Sequence, residues 1–175
     1  MMRTNQTRRA GRGPILLAAL ALAGCSSNSS DSGGGGGTFN ASTYVGTWTG
    51  TWTNTTFSTT GAITMTVSQS GSTFSVAFDM DGNVFGGSNP ALENFTATIT
   101  SSKADLVSIT STVYGTVTGM LASDGTLTLN GTAIPGSVDT FTLTGNWGAS
   151  QISANVTITF DGGGTANGTA ALTKS

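Results

Sequence analysis

Chemistry needs reactive side chains, and this chain of 175 residues offers few. It has no histidine and one cysteine, Cys25. Without an imidazole, a Ser-His-Asp or Cys-His nucleophile is excluded, as is any His-ligated zinc centre. Carboxylates are what remains. Asp79, Asp81 and Asn83 alternate as the oxygen ligands of a calcium loop do. An EF-hand also needs glycine at its sixth position and glutamate at its twelfth, and those positions here are Val84 and Pro90. Asp81-Gly82 is therefore read as a hairpin turn. Asp79 and Asp81 share a strand face at a spacing that a glycoside-cleaving pair could use, yet both are read as standing at an exposed turn. The reading is a non-enzyme with no catalytic residue, no metal and no cofactor; an enzyme of unknown class is the residual alternative.

The charges are unevenly placed. All four arginines (Arg3, Arg8, Arg9 and Arg12) precede an apolar run from Pro14 to Ala23. After Cys25 come only two cations, Lys103 and Lys174, against eight carboxylates, a net of −6. A body without arginine and with that sign cannot neutralise a row of phosphates, so nucleic acid is excluded as a partner. A basic start, an apolar middle and small residues at the end are the three parts of an export signal. The middle is about ten residues long, half of what a transmembrane helix needs.

Leu22-Ala23-Gly24-Cys25 resembles the lipobox of bacterial lipoproteins. The resemblance implies cleavage before Cys25, acylation of its thiol and amine, and attachment to a membrane through this lipid anchor. Several buried acyl chains anchor stably, at about 0.8 kcal/mol per methylene, where one chain is marginal. Ser26 stands where such proteins carry a retention aspartate, so the resemblance implies the outer membrane of a Gram-negative envelope. The segment from Ser26 to Gly37 includes five consecutive glycines and reads as a flexible tether with a reach of roughly 20 Å. The chain thus divides into a signal peptide (1–24), a lipidated cysteine with its tether (25–37) and one domain (38–175).

Within that domain apolar residues alternate with threonine or serine at period two, the pattern of strands with one buried face. Ile63, Met65 and Val67 make one such set; Phe74, Val76, Phe78 and Met80 another. Val113, Val117 and Leu121, then Leu127 and Leu129, then Phe141 and Leu143, then Ile152, Val156, Ile158 and Phe160 continue it. Turn signals at Ser70-Gly71-Ser72, Ser123-Asp124-Gly125, Asn130-Gly131 and Asp161-Gly162-Gly163-Gly164 separate the runs. Eight to ten strands are predicted: Tyr44–Thr53, Gly61–Ser70, Ser72–Met80, Asn94–Thr100, Leu106–Ser111, Val113–Ala122, Thr126–Gly131, Thr140–Trp147, Gln151–Phe160 and Thr165–Leu172. Short strands with tight turns imply an all-β fold, an antiparallel up-and-down β-barrel, because closure protects edges that so few charges could not. A two-sheet β-sandwich is the alternative. The segment Phe85–Glu93 is the longest irregular insertion and the expected contact loop.

The first strand reads "YVGTWTGTW". Tyr44, Gly46, Trp48, Gly50 and Trp52 share one face, and Gly50 is expected to give the two indoles room. Gly115 and Gly119, which flank Val117, are expected to yield space to a tryptophan. A Gly-x-Trp opening followed by hairpins resembles the lipocalin and wider calycin barrels. That resemblance assigns Gly46 and Trp48 to the start of the first strand, with Trp48 closing the barrel floor. The basic residue that usually packs on this tryptophan, typically an arginine, has no arginine counterpart here.

Two functions follow. The first is a membrane-anchored envelope lipoprotein whose barrel plays a structural role or meets an envelope protein or glycan. The second is lipocalin-like binding of a small hydrophobic ligand, with Trp48, Trp52, Phe74, Phe78, Phe141 and Phe160 as the candidate lining.

Overall fold

The period-two pattern becomes ten antiparallel strands. In a computed structural model, which describes residues 37–85 and 89–175, these are β1 (Gly46–Asn54), β2 (Thr59–Ser70), β3 (Thr73–Met80), β4 (Glu93–Ile99), β5 (Lys103–Ser111), β6 (Gly115–Ala122), β7 (Thr126–Thr132), β8 (Val138–Trp147), β9 (Gln151–Phe160) and β10 (Thr165–Lys174). The leader, Cys25 and the tether as far as residue 36 lie outside the described residues, as do residues 86–88 of the predicted contact loop.

Each strand pairs with its sequence neighbours, and β10 returns to pair with β1, from Trp48 opposite Lys174 to Asn54 opposite Gly168. The result is a closed antiparallel up-and-down barrel, not a two-sheet sandwich. Closure leaves every strand two neighbours, which suits a surface of threonine and serine with few charges to guard an edge.

The period also sets what faces inward. Trp48 and Trp52, then Ile63, Met65 and Val67, are buried, while Thr47, Thr49, Thr64 and Thr66 between them are exposed. Threonine is suited to that outer row, because its β-branch favours the extended chain and its hydroxyl meets water.

Local chemistry moves several predicted boundaries. A 3₁₀ turn at Ala41–Thr43 precedes β1, and Tyr44 ends that turn instead of opening the strand, donating its N–H to the Ala41 carbonyl at 3.0 Å. Val113 lies in the β5–β6 turn, where the Ser111 hydroxyl accepts the N–H groups of Val113 and Tyr114 at 3.0 and 2.8 Å. Asn130-Gly131 is not a turn; β7 runs through it, and the Phe141 ring occupies the space a Cβ on Gly131 would need. Asp81-Gly82 opens a connection that reaches to β4, not a tight hairpin.

The glycines near the indoles also act differently from expectation. A Cβ on Gly50 would collide with the Ala171 carbonyl, so Gly50 allows β1 and β10 to approach and does not separate Trp48 from Trp52. Gly115 and Gly119 abut residues of and just after β7: Thr132 and Ala133 in one case, Thr128 and Leu129 in the other. It is Gly61 and Gly82 that make room for Trp52.

One end of the barrel is plugged. Phe39, Ala41 and Tyr44 of the segment before β1 are buried there together with Trp48, Phe74 and Trp147. Phe39 stacks on Tyr44 with centroids 5.4 Å apart, and Tyr44 and Trp48 both meet Trp147 edge to face, at 5.5 and 5.6 Å. Such aromatic pairs stabilise beyond the area they bury. Lys174, near the end of β10, crosses this floor. Its ammonium lies 5.5 Å from the Trp48 ring and donates to the Thr43 carbonyl at 2.9 Å. A late lysine thus occupies the place where the sequence offered no arginine.

Candidate ligand-binding cavity

Inward residues next to the floor are buried, as are Tyr114, Val117, Phe141 and Ile158 toward the opposite end, while Val76, Phe78, Phe95, Leu129, Leu143 and Val156 are only half-buried. They surround a cavity of about 240 Å³. Its wall is almost wholly apolar, drawn from the floor cluster (Ile63, Met65, Phe74, Leu121, Trp147) and from a second cluster toward the mouth (Leu106, Tyr114, Val117, Phe141, Ile158). Among the described residues, no aspartate, glutamate, lysine or arginine lines it.

The mouth is built from turns whose polar groups are satisfied locally. The Asn54 side chain accepts the N–H groups of Thr56 and Phe57, each at 3.0 Å, which fixes the β1–β2 turn. Trp52 donates its indole N–H to the Asp81 carbonyl at 2.7 Å, tying the start of the β3–β4 connection to β1. From that connection Val84 and Phe85 turn into the cavity, and Phe85 stacks on Phe141 at 6.2 Å and meets Tyr114 edge to face at 5.9 Å. Tyr114 also packs against Phe78 at 6.0 Å. Its hydroxyl is held strongly toward the neutral form, first by burial and then by the nearby carboxylates Glu93 and Asp79.

The wall is not uniformly stitched. β4 and β5 share ladder pairs only at Thr98–Asp105 and Ile99–Ala104, beside the floor. Toward the mouth β5 carries a bulge between Leu106 and Ile109 in its pairing with β6. There the link across the seam is a side-chain one: Ser111 donates its hydroxyl to the Glu93 carboxylate at 2.9 Å. A bulge of this kind bends the strand that carries it and increases its local twist.

Of the residues proposed from sequence, Trp52, Phe74, Phe78 and Phe141 stand on this wall. Trp48 lies beneath it in the floor, wholly buried, with its indole N–H donated to the Tyr44 carbonyl at 2.9 Å. Phe160 stands outside the lining and packs edge to face against Phe57 at 6.1 Å. The sequence reading missed Trp147, Tyr114, Phe95 and Phe85. Trp147 shares the parity of Phe141 and Leu143 and was within reach of the same argument; Phe85 belongs to a loop and gave no periodic signal. Asp79 remains on the strand's outer parity and Asp81 on the exposed loop, and no group of three potential metal ligands occurs among the described residues.

Among the solved structures that share this fold are two with a TM-score of 0.55. One is Rv2717c from M. tuberculosis, with a TM-score of 0.55 at 11% identity, covering 77% of this chain and 94% of that one. The other is a protein of unknown function of the DUF3598 family from Nostoc punctiforme, again with a TM-score of 0.55 and 11% identity, covering 79% of this chain and 50% of that one. This chain therefore spans about half the length of the Nostoc protein. An S-type phycobiliprotein lyase, CPES of Guillardia theta, is more distant, with a TM-score of 0.45 at 8% identity over 77% of this chain and 88% of that one. No family profile and no curated protein sequence matches the chain.

Proposed function

We propose that the barrel binds a small apolar molecule in its interior and acts by holding it, not by transforming it. One observation carries the reading: the cavity of about 240 Å³ with its apolar wall. Protein cores ordinarily pack with few voids larger than a water molecule. At ~24 cal/mol per Å³, an unfilled space of this size forgoes about 6 kcal/mol of packing, comparable with the whole stability of a small domain. An occupant that recovers those contacts explains why the space is kept. Among the described residues, the lining offers no carboxylate, amine or thiol for turnover. The fold shared with Rv2717c and the DUF3598 protein is compatible with this role.

Native mass spectrometry of protein purified from its own host tests the proposal. An added non-covalent mass is expected. A bare polypeptide, together with no shift in melting temperature on adding small apolar compounds, refutes it.

The address proposed for this binding protein comes from sequence. The Leu22–Cys25 lipobox supports export and anchoring through lipid on Cys25, on the outer membrane of a Gram-negative cell. Mass analysis of the mature amino-terminal peptide is expected to find acyl chains on Cys25, and a Cys25→Ser variant is expected to leave the membrane fraction. A contact with an envelope protein or glycan is the second reading. It is favoured by Phe57 and Leu92, both more than half exposed on connections at the mouth.

A further inference from the structure

The charges of the barrel are sorted by end. The connections after β1, β3, β5, β7 and β9 form the mouth, and Asp79, Asp81, Glu93, Asp139 and Asp161 lie in them or within two residues of them. Both described lysines stand at the other end. Lys103 pairs with Asp105 at 2.9 Å, and Lys174 crosses the floor to the Thr43 carbonyl. Glu93 differs from a plain surface carboxylate. It is half-buried and has the parity of Phe95 and Ala97, so it continues the cavity-facing row of β4 at its mouth end. Its Oε1 accepts the hydroxyls of Ser111 at 2.9 Å and Thr112 at 3.4 Å. Its Oε2 has no partner among the described residues, and no lysine reaches either oxygen. The same Ser111 hydroxyl accepts the N–H of Tyr114, whose side chain lines the cavity, at 2.8 Å. A carboxylate drawn partly out of water is stabilised by a cation or by hydrogen bonds, and here half of that partnership is missing.

We propose that Glu93 is the counter-ion of the ligand: the occupant carries a protonated amine held at the mouth beside Glu93, with a compact apolar body in the cavity. This deepens the reading above and rests on it. Each part of the site sets one limit. A cavity of about 150 Å³ accepts benzene, so 240 Å³ accommodates a body of about ten non-hydrogen atoms. The wall below has no charged partner among the described residues, so the ammonium stays at the mouth, where water still reaches it. Five carboxylates at that end, with both described lysines at the other, draw a cation in and repel an anion, which disfavours fatty acids. The ligand class is thus a small alicyclic, aromatic or short-chain amine.

Cyclooctylamine, cyclooctanol and cyclooctanecarboxylate share one ring and differ in charge. Calorimetry at pH 7 titrates each against the protein and against a Glu93→Gln variant, which keeps an acceptor for Ser111 and removes the charge. The amine is expected to bind more tightly than the alcohol, and the carboxylate more weakly. In Glu93→Gln the ratio of amine to alcohol affinity is expected to fall about fivefold, the scale of one ion pair that water still reaches, with the alcohol unchanged. Raising sodium chloride from a low level to about 0.5 M is expected to weaken the amine and leave the alcohol as it was. If amine and alcohol bind with the same ratio in the two proteins, or the carboxylate binds as tightly as the amine, the counter-ion proposal is overturned while the binding cavity stands. If none of the three binds, the cavity reading falls and takes the counter-ion with it. Should Glu93→Gln fail to fold, salt decides alone: a ratio of amine to alcohol affinity that salt leaves unchanged in the unsubstituted protein overturns the proposal.

Discussion

Whether the barrel is hollow can be decided by the sign of a stability change. Val156 on β9 is half-buried on the cavity wall, paired with Leu143 of β8 and with Gly168 of β10. Replacing it by phenylalanine keeps a good strand former, so the backbone is indifferent. If the space is real, the larger ring fills roughly 50 Å³ of it and recovers about 1.2 kcal/mol at ~24 cal/mol per Å³. For a domain of this size that raises the melting temperature by about 4 °C. Val67 on β2 is the control. It is 2% exposed, outside the cavity lining, and close-packed in the floor cluster, so Val67→Phe should overpack and cost about 1–3 kcal/mol. Urea unfolding followed by tryptophan fluorescence measures both. The expected result is opposite signs, with the affinity for a small apolar probe such as cyclooctane falling at least about tenfold in Val156→Phe, since the ring takes the ligand's room. A Val156→Phe variant destabilised like Val67→Phe refutes the reasoning, because the site would then be ordinary packed core.

Three further outcomes are expected. Gly50→Ala should prevent closure between β1 and β10, since its Cβ meets the Ala171 carbonyl, and cost more than about 3 kcal/mol; Gly162→Ala, in an open turn, should change stability by less than about 1 kcal/mol. Paired melts of the two variants check this. Lys174→Met keeps the stem beside Gly46 but loses the hydrogen bond to Thr43 and the cation over Trp48, and chemical denaturation should report a loss of about 2 kcal/mol. The third concerns alkali. Burial, then the Asp124 charge, raises the Tyr44 pKa, and burial with Glu93 and Asp79 raises that of Tyr114. Both tyrosines are therefore neutral in the folded state where they would ionise in the unfolded one. Their contribution is full below the unfolded value of about 10 and falls above it, by up to about 1.4 kcal/mol per pH unit for each, until the folded pKa is reached. Spectrophotometric titration should show tyrosinate appearing together with unfolding, and tyrosinate formed in an intact barrel would contradict it.

Much of the architecture was legible along the chain because it depends on local periodicity. Phe74, Val76, Phe78 and Met80 announce β3 by alternation alone, and the inward face of "YVGTWTGTW" follows from parity. Boundaries went astray where a side chain rewires the backbone locally, as the Ser111 hydroxyl does at Val113 and Tyr114. Gly131 misled for a different reason. Asn-Gly is a turn signal when nothing lies above it, but here the Phe141 ring on the neighbouring strand uses the bare Cα as its seat. Only the register of β7 on β8 reveals that purpose.

By itself the sequence determined the class of fold, the inward and outward faces of the alternating strands, the net negative charge after Cys25, and the lack of any histidine. It also carries Leu22-Ala23-Gly24-Cys25, the stretch on which the proposed lipid anchor rests. Closure of the barrel, the lysine over Trp48, the hollow between two aromatic clusters and the gathering of Glu93 and four aspartates at its mouth were decided by tertiary structure. The reason is physical. Alternation is a property of one strand, whereas a cavity is the volume left over when side chains from ten strands meet at one particular register.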